Sequence, residues 1–147
     1  MYSTILLLHV LAATVWTGGH LVLAAAVLPR ALAAGEPRIL LEFERGFERI
    51  GMPALAIQVL SGLWMAHVQV GDVGAWFAFG TPQANLIACK LALLALTVAT
   101  ALDARLRIIP RLSPATLPAM ARRVVFVTLL SVAFVVVGVS FRGVLLA

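Results

Sequence analysis

The sequence predicts an all-α integral membrane protein. It reads as one domain, residues 1–147, folded as a four-helix bundle with an amphipathic interfacial helix before the second span. Three observations lead there. The chain is 63% hydrophobic and only 12% charged, and its mean hydropathy of +1.07 is too high for a soluble domain of this size. Four apolar stretches, at about 3–29, 53–70, 84–109 and 119–144, each approach or exceed the ~20 residues a helix needs to cross ~30 Å of hydrocarbon. All the arginines but Arg142 cluster at only two of the connections between them.

The first stretch, 3–29, ends in an Ala31-Leu32-Ala33 sequence that imitates a signal-peptide cleavage site. No basic segment precedes it and the apolar run is too long for a typical signal core, so it is expected to be a retained helix. Residues 35–50 place apolar side chains at 39, 40, 43, 47 and 50 and charges at 38, 42, 44, 45, 48 and 49. That is the pattern of an amphipathic helix at a membrane surface, running into the second span at Pro53. Glu44 and Glu48, flanked by Arg45 and Arg49, read as its solvated face.

The connection 71–83 has no Lys or Arg but carries Trp76, Phe77 and Phe79, which suit the headgroup layer. The third span holds Cys89, the chain's one cysteine, so no disulfide framework or paired-cysteine metal motif is available. Gly18, Gly19, Gly62 and Gly138 suit close helix contacts.

Arg30, Arg38, Arg45 and Arg49 lie between the first two spans, and Arg105, Arg107, Arg111, Arg122 and Arg123 around the junction of the last two. The positive-inside rule assigns both connections to the cytoplasm and both termini to the outside of a bacterial-type inner membrane. The formal charge of +5 is therefore topological information with anionic headgroups as its partner, and nucleic acid is not expected.

Ionisable groups inside hydrocarbon are costly and so are functional candidates. They are His9 and His20 in span one, His67 in span two, Lys90 in span three and Arg142 in span four. At ~1.5 Å per residue, His9 and Lys90 lie about 9 Å from the outer ends of their spans, His67 about 5 Å and Arg142 about 3 Å. The expectation is one outer layer in which His9 and His67 ligate a metal or haem, with Lys90 and Arg142 beside it. His9 and His20 share a helix face about 16 Å apart, which puts His20 in a deeper layer as a second metal position. Met52, Asp103 and Met120 are its expected neighbours. Met52, Met65 and Met120 suit packing as well as ligation, and Asp103 is expected to pair with Arg105 or Arg107.

Two resemblances follow from these residues. His9-VLAATVWTGG-His20, Leu28-Pro29-Arg30, FERGFERIGMPAL, SGLWMA, Lys90-LALLALTVATALDARLRIIPRL and the final VVVGVSFR resemble the CopD copper-resistance membrane family. The chain is similar in length to its short, single-domain members. The resemblance implies copper handling at the bacterial inner membrane, as homeostasis or transfer, with copper as the metal. His9, Leu28-Pro29-Arg30, Met52-Pro53-Ala54 and Lys90 are also similar to HemJ-type protoporphyrinogen oxidases, four-helix proteins that bind haem b. That resemblance implies a haem-site histidine at His9 and a required cation at Lys90, in an oxidoreductase or b-type cytochrome with His67 as a second axial ligand. His20 after Gly18-Gly19 suits the CopD pattern better. Partners expected under these readings are the bilayer, a metal ion or haem, a periplasmic copper donor or a quinone, and a second copy of the chain. A purely structural subunit, its polar residues joining helices, is the third reading.

Overall fold

The computed structural model describes residues 1–141; Arg142 and the residues after it lie outside the described region. Four helices long and apolar enough to cross a membrane follow one another: α1 (Tyr2–Ala34), α2 (Pro37–Val70), α3 (Pro82–Arg111) and α4 (Leu117–Ser140). Lipid supplies no hydrogen-bond partners, so helices that satisfy their own backbone are the solution for such segments. The chain is a multi-pass membrane protein.

The amphipathic segment and the second span form one continuous helix, α2, with Pro53 inside it. Pro29 and Pro110 act differently. Each follows a π-helical turn, Leu23–Val27 in α1 and Ala104–Ile108 in α3. Proline brings no N–H and crowds the carbonyl four residues back, and a widened turn relieves that crowding.

The connections at the basic end are tight. Gly35 adopts a left-handed conformation (φ 65°) that closes α1, and Pro37 opens α2 two residues later. At the other end Asp72 accepts from the Gly74 amide and Thr81 from the Ala84 amide, fixing the short turn Val73–Phe77 and the start of α3. Trp76 is 7% exposed and packs on Ala66 and Ile87. The headgroup anchor read from the sequence is left to Phe77 and Phe79, which are exposed.

Around the bundle, α2 packs on α1, α1 on α4, and α4 on α3, while the α2–α3 seam is the loosest. Aromatic contacts set the antiparallel register of α1 and α2. The Tyr2 and Trp64 rings are 6.1 Å apart at one end, and Trp16 and Phe47 are 6.3 Å apart at the other. Gly19 and Gly51 make room for Phe47, since a Cβ on either would run into its ring. The α1–α4 seam is small and polar. Thr17 Oγ donates to the Ser131 carbonyl, and Thr128 Oγ reaches the carbonyls of Val124 and His20.

Candidate functional site

The polar residues inside the bundle form two groups at different levels. The first is built around His9. The Ser61 hydroxyl donates to the Ile57 carbonyl, so the 2.9 Å contact between Ser61 Oγ and His9 Nδ1 is a bond donated by the imidazole. Gly62 permits the approach: a Cβ there would lie 3.2 Å from His9 Cε1. The charge of Lys90 reaches this ring. Lys90 extends beside Gly138 of α4, and its ammonium sits 5.0 Å above the Phe141 ring. No carboxylate pairs with Lys90 among the described residues. The side-chain oxygen of Gln58, buried near His9, has no hydrogen-bond partner.

His67 stands apart from this group. It is exposed and its Nδ1 donates to the Gly71 carbonyl at 2.9 Å, closing its own helix end. It lies five residues past Gly62, hence about 140° around α2 and about 8 Å further along it. His67 therefore lies on another face of α2 from the residues that meet His9. Arg142, the fourth residue expected in the layer, falls outside the described residues.

The second group surrounds His20. Its Nδ1 donates to the Trp16 carbonyl at 2.9 Å. That bond fixes the tautomer, leaving Nε2 as a bare lone pair. Trp16 stacks obliquely on the imidazole (centroids 4.5 Å) and Phe47 meets it edge-on (5.9 Å). The ring lines a cavity of about 490 Å³ bounded by all four helices, which Met52 and Met120 also line. His20, Met52 and Met120 all line it, but not at one level: Thr128 meets the His20 carbonyl, and Met120 is eight residues and so about 12 Å of helix further in, packed with Val27, Leu28 and Ala31. Met120 is buried, whereas Met52 is 53% exposed on the loose α2–α3 side.

Ion pairs close the basic end of the cavity. Arg123 binds Asp103 through Nε and a terminal nitrogen, each at 2.6 Å, and donates to the Ala119 carbonyl. Arg107 is 3.5 Å from the same carboxylate, and Arg105 pairs with Glu48 at 3.0 Å. The Arg107 partner of Asp103 is the one expected from the sequence; the closer Arg123 is not. Asp103 and Arg123 are twenty positions apart on antiparallel helices, a contact that local spacing does not reveal. Ser61, Gln58 and Phe47 also went unnoticed, although 58, 61 and 62 share one helical face opposite His9.

Among the described residues no three His, Cys, Asp or Glu side chains converge as a ligand set. The His20 cavity adds thioethers to an imidazole, which suits a soft ion. The model of the copper resistance protein D family matches residues 41–142. The chain belongs to this CopD family. The match covers most of the chain and runs through α2, α3 and α4, including Met52, Lys90, Thr97, Asp103 and Met120. No curated protein and no solved structure matches it.

Proposed function

We propose that this CopD-family protein binds copper within the bilayer at His20 with Met52, as a step in copper homeostasis or transfer across a bacterial cytoplasmic membrane. The observation that carries this reading is the shared cavity. The His20 imidazole, with its Nε2 lone pair free, and the Met52 thioether line it, donors that favour Cu(I) over harder ions, and Met120 lines its inner part. Electrostatics supports the same position. Lys90 lies at the level of His9, about 16 Å of helix away from His20, and would oppose a cation near His9. The arginines at the His20 cavity are neutralised by Asp103 and Glu48.

Copper is cargo here. His20 supplies the strongest donor, and Trp16 holds it in one tautomer. Met52 on the loose seam is the donor free to move as the ion arrives or leaves, and Met120, buried about 12 Å further in, is a later position on the path. The basic end faces the cytoplasm, as its arginines require, so the ion-paired rim is the inner boundary of the path. His9 lies on the same face of α1 toward the outer side and is the position an incoming ion meets first.

The test is copper binding by the purified protein with its visible spectrum recorded alongside. Wild type is expected to bind Cu(I) and to show no Soret band, and His20→Ala to lose the ion. An intense Soret band in protein as isolated, or Cu(I) binding by His20→Ala equal to wild type, would overturn the reading.

A further inference from the structure

Residues 41, 44, 45 and 48 recur at helical spacing and so share one face of the amphipathic part of α2. Leu41, Glu44, Arg45 and Glu48 form one wall of a pocket of about 320 Å³ at the basic end of the bundle, and Arg105 and Ile109 of α3 form the other. The pocket is thus the inner mouth of the α2–α3 seam, where packing is loosest. It runs on into the His20 cavity, since Glu44, Glu48, Arg105 and Ile109 line both. Behind the mouth the cavity wall on this side is apolar, and Met52, Val98 and Leu102 line it while being exposed at the bundle surface. In a bilayer that open side faces hydrocarbon, and the mouth, on an amphipathic helix face, lies at the level of the headgroups.

The two carboxylates and two guanidiniums of the mouth balance in charge, but only one pair of them is joined. Arg105 donates one N–H to Glu48 at 3.0 Å across the seam, and its remaining donors have no partner among the described residues. Glu44 and Arg45 make no ion pair among the described residues. Glu44 is only partly exposed, and a carboxylate drawn out of water without a partner is costly. The mouth therefore presents an unanswered anion at Glu44 and unanswered donors on Arg45 and Arg105. A ligand that answers both carries a cation and an anion close together, with an apolar chain for the cavity behind them.

We propose that the inner mouth of the α2–α3 seam binds one phosphatidylethanolamine, its phosphate on Arg45 and Arg105, its ammonium on Glu44, and an acyl chain running along the seam into the cavity. Guanidinium is the side chain best matched to a phosphate, through paired N–H donors. The ammonium brings N–H donors to the carboxylate. The other common headgroups answer only part of this pattern. Phosphatidylglycerol brings a phosphate but no cation, so it sets a second anion beside Glu44 and leaves that carboxylate unpaired. Phosphatidylcholine brings a cation that has no N–H to donate. Glu44, Arg45 and Arg105 are not copper ligands, so this site stands or falls separately from the copper position.

The test is native mass spectrometry of copper-free protein in detergent, titrated separately with phosphatidylethanolamine, phosphatidylglycerol and phosphatidylcholine of identical acyl chains. Wild type is expected to bind one phosphatidylethanolamine more tightly than either of the others. Glu44→Gln removes the partner of the ammonium alone. It is expected to weaken phosphatidylethanolamine about two- to fivefold, the size of one partly exposed ion pair, while phosphatidylglycerol binds no worse. Arg45→Gln is expected to weaken all three lipids, because they share the phosphate. Circular dichroism reports that each variant is folded; if one is not, the comparison of the three lipids on wild type decides. The path of the chain is read separately, with Trp64→Phe and Trp76→Phe leaving Trp16, on the cavity wall, as the one tryptophan of the original three. One equivalent of phosphatidylethanolamine with brominated acyl chains is expected to quench Trp16 emission more than the same amount of brominated phosphatidylcholine. Equal affinity for the three lipids, tighter binding of phosphatidylglycerol by wild type, or a folded Glu44→Gln protein with the wild-type preference would each overturn the headgroup site. Trp16 emission that both brominated lipids leave alike would overturn the chain's place in the cavity.

Discussion

Gly19→Ala is the smallest change that tests how the bundle is held around His20. Replacing a mid-helix glycine by alanine normally stabilises a helix by about 1 kcal/mol. Here the new Cβ would fall inside the Phe47 ring. The ring has little room to retreat, because a Cβ built on Gly51 would meet it at 2.7 and 2.9 Å, so it already rests on that backbone too. Phe43 stacks on it, and His20 meets it edge-on. Overpacking of this kind costs about 1–3 kcal/mol. Against the propensity gain, the expected net effect is a loss of about 1 kcal/mol, with Phe47 displaced into the cavity. Reversible unfolding in mixed detergent, followed by circular dichroism, measures it. Adding Phe47→Leu to Gly19→Ala should then cost less than Phe47→Leu costs alone, because the collision is gone. A Gly19→Ala protein as stable as wild type or more so, with the two substitutions additive, would refute the packing argument.

The other predictions concern charge and topology. Arg123→Met leaves Asp103 with Arg107 at 3.5 Å as its remaining cation; the pair is partly exposed, so a loss of about 1–3 kcal/mol is expected in the same unfolding assay, below the 3–5 kcal/mol typical when a fully buried pair is broken. Lys90→Met removes a cation that has no carboxylate partner among the described residues and should leave the helices folded, with Cu(I) affinity unchanged or tighter; a weakened copper site would tie Lys90 to the ligand set. A reporter active only outside the cytoplasm should be active when fused after Ala147 and silent when inserted near Pro114, the reverse pattern contradicting the orientation.

Hydropathy and length made the four helices legible, since lipid imposes one rule on every segment that crosses it. The amphipathic character of residues 35–50 and its run into the second span were equally visible, but what Pro53 does inside that helix was not. A proline inside a helix signals a bend or a break with equal force, and the packing of α2 along α1 decides between them. Counting residues inward from the span ends put His20 with Met52, Asp103 and Met120; Met52 and Met120 line its cavity, whereas Asp103 pairs with Arg123 and Arg107. The outer layer was harder to read. Depth places residues along the bundle axis, but azimuth places them around it, and His67 is about 140° from the face that meets His9. Trp76 shows the same limit: an aromatic in a loop reads as a headgroup anchor until its neighbours Ala66 and Ile87 are known. Asp103 found its closest partner across an antiparallel helix pair, which no spacing within one helix predicts.

The most direct measurement is X-ray absorption at the copper edge of Cu(I)-loaded protein, compared among wild type, His20→Ala and the double variant Met52→Leu, Met120→Leu. Ligation by the His20 imidazole and methionine sulfur predicts a mixed nitrogen and sulfur first shell. Loss of the nitrogen scatterer is expected in the first variant and loss of the sulfur scatterers in the second, with the helices intact by circular dichroism. A first shell of nitrogen and oxygen only, unchanged when both methionines are replaced, would contradict a copper position in the His20 cavity.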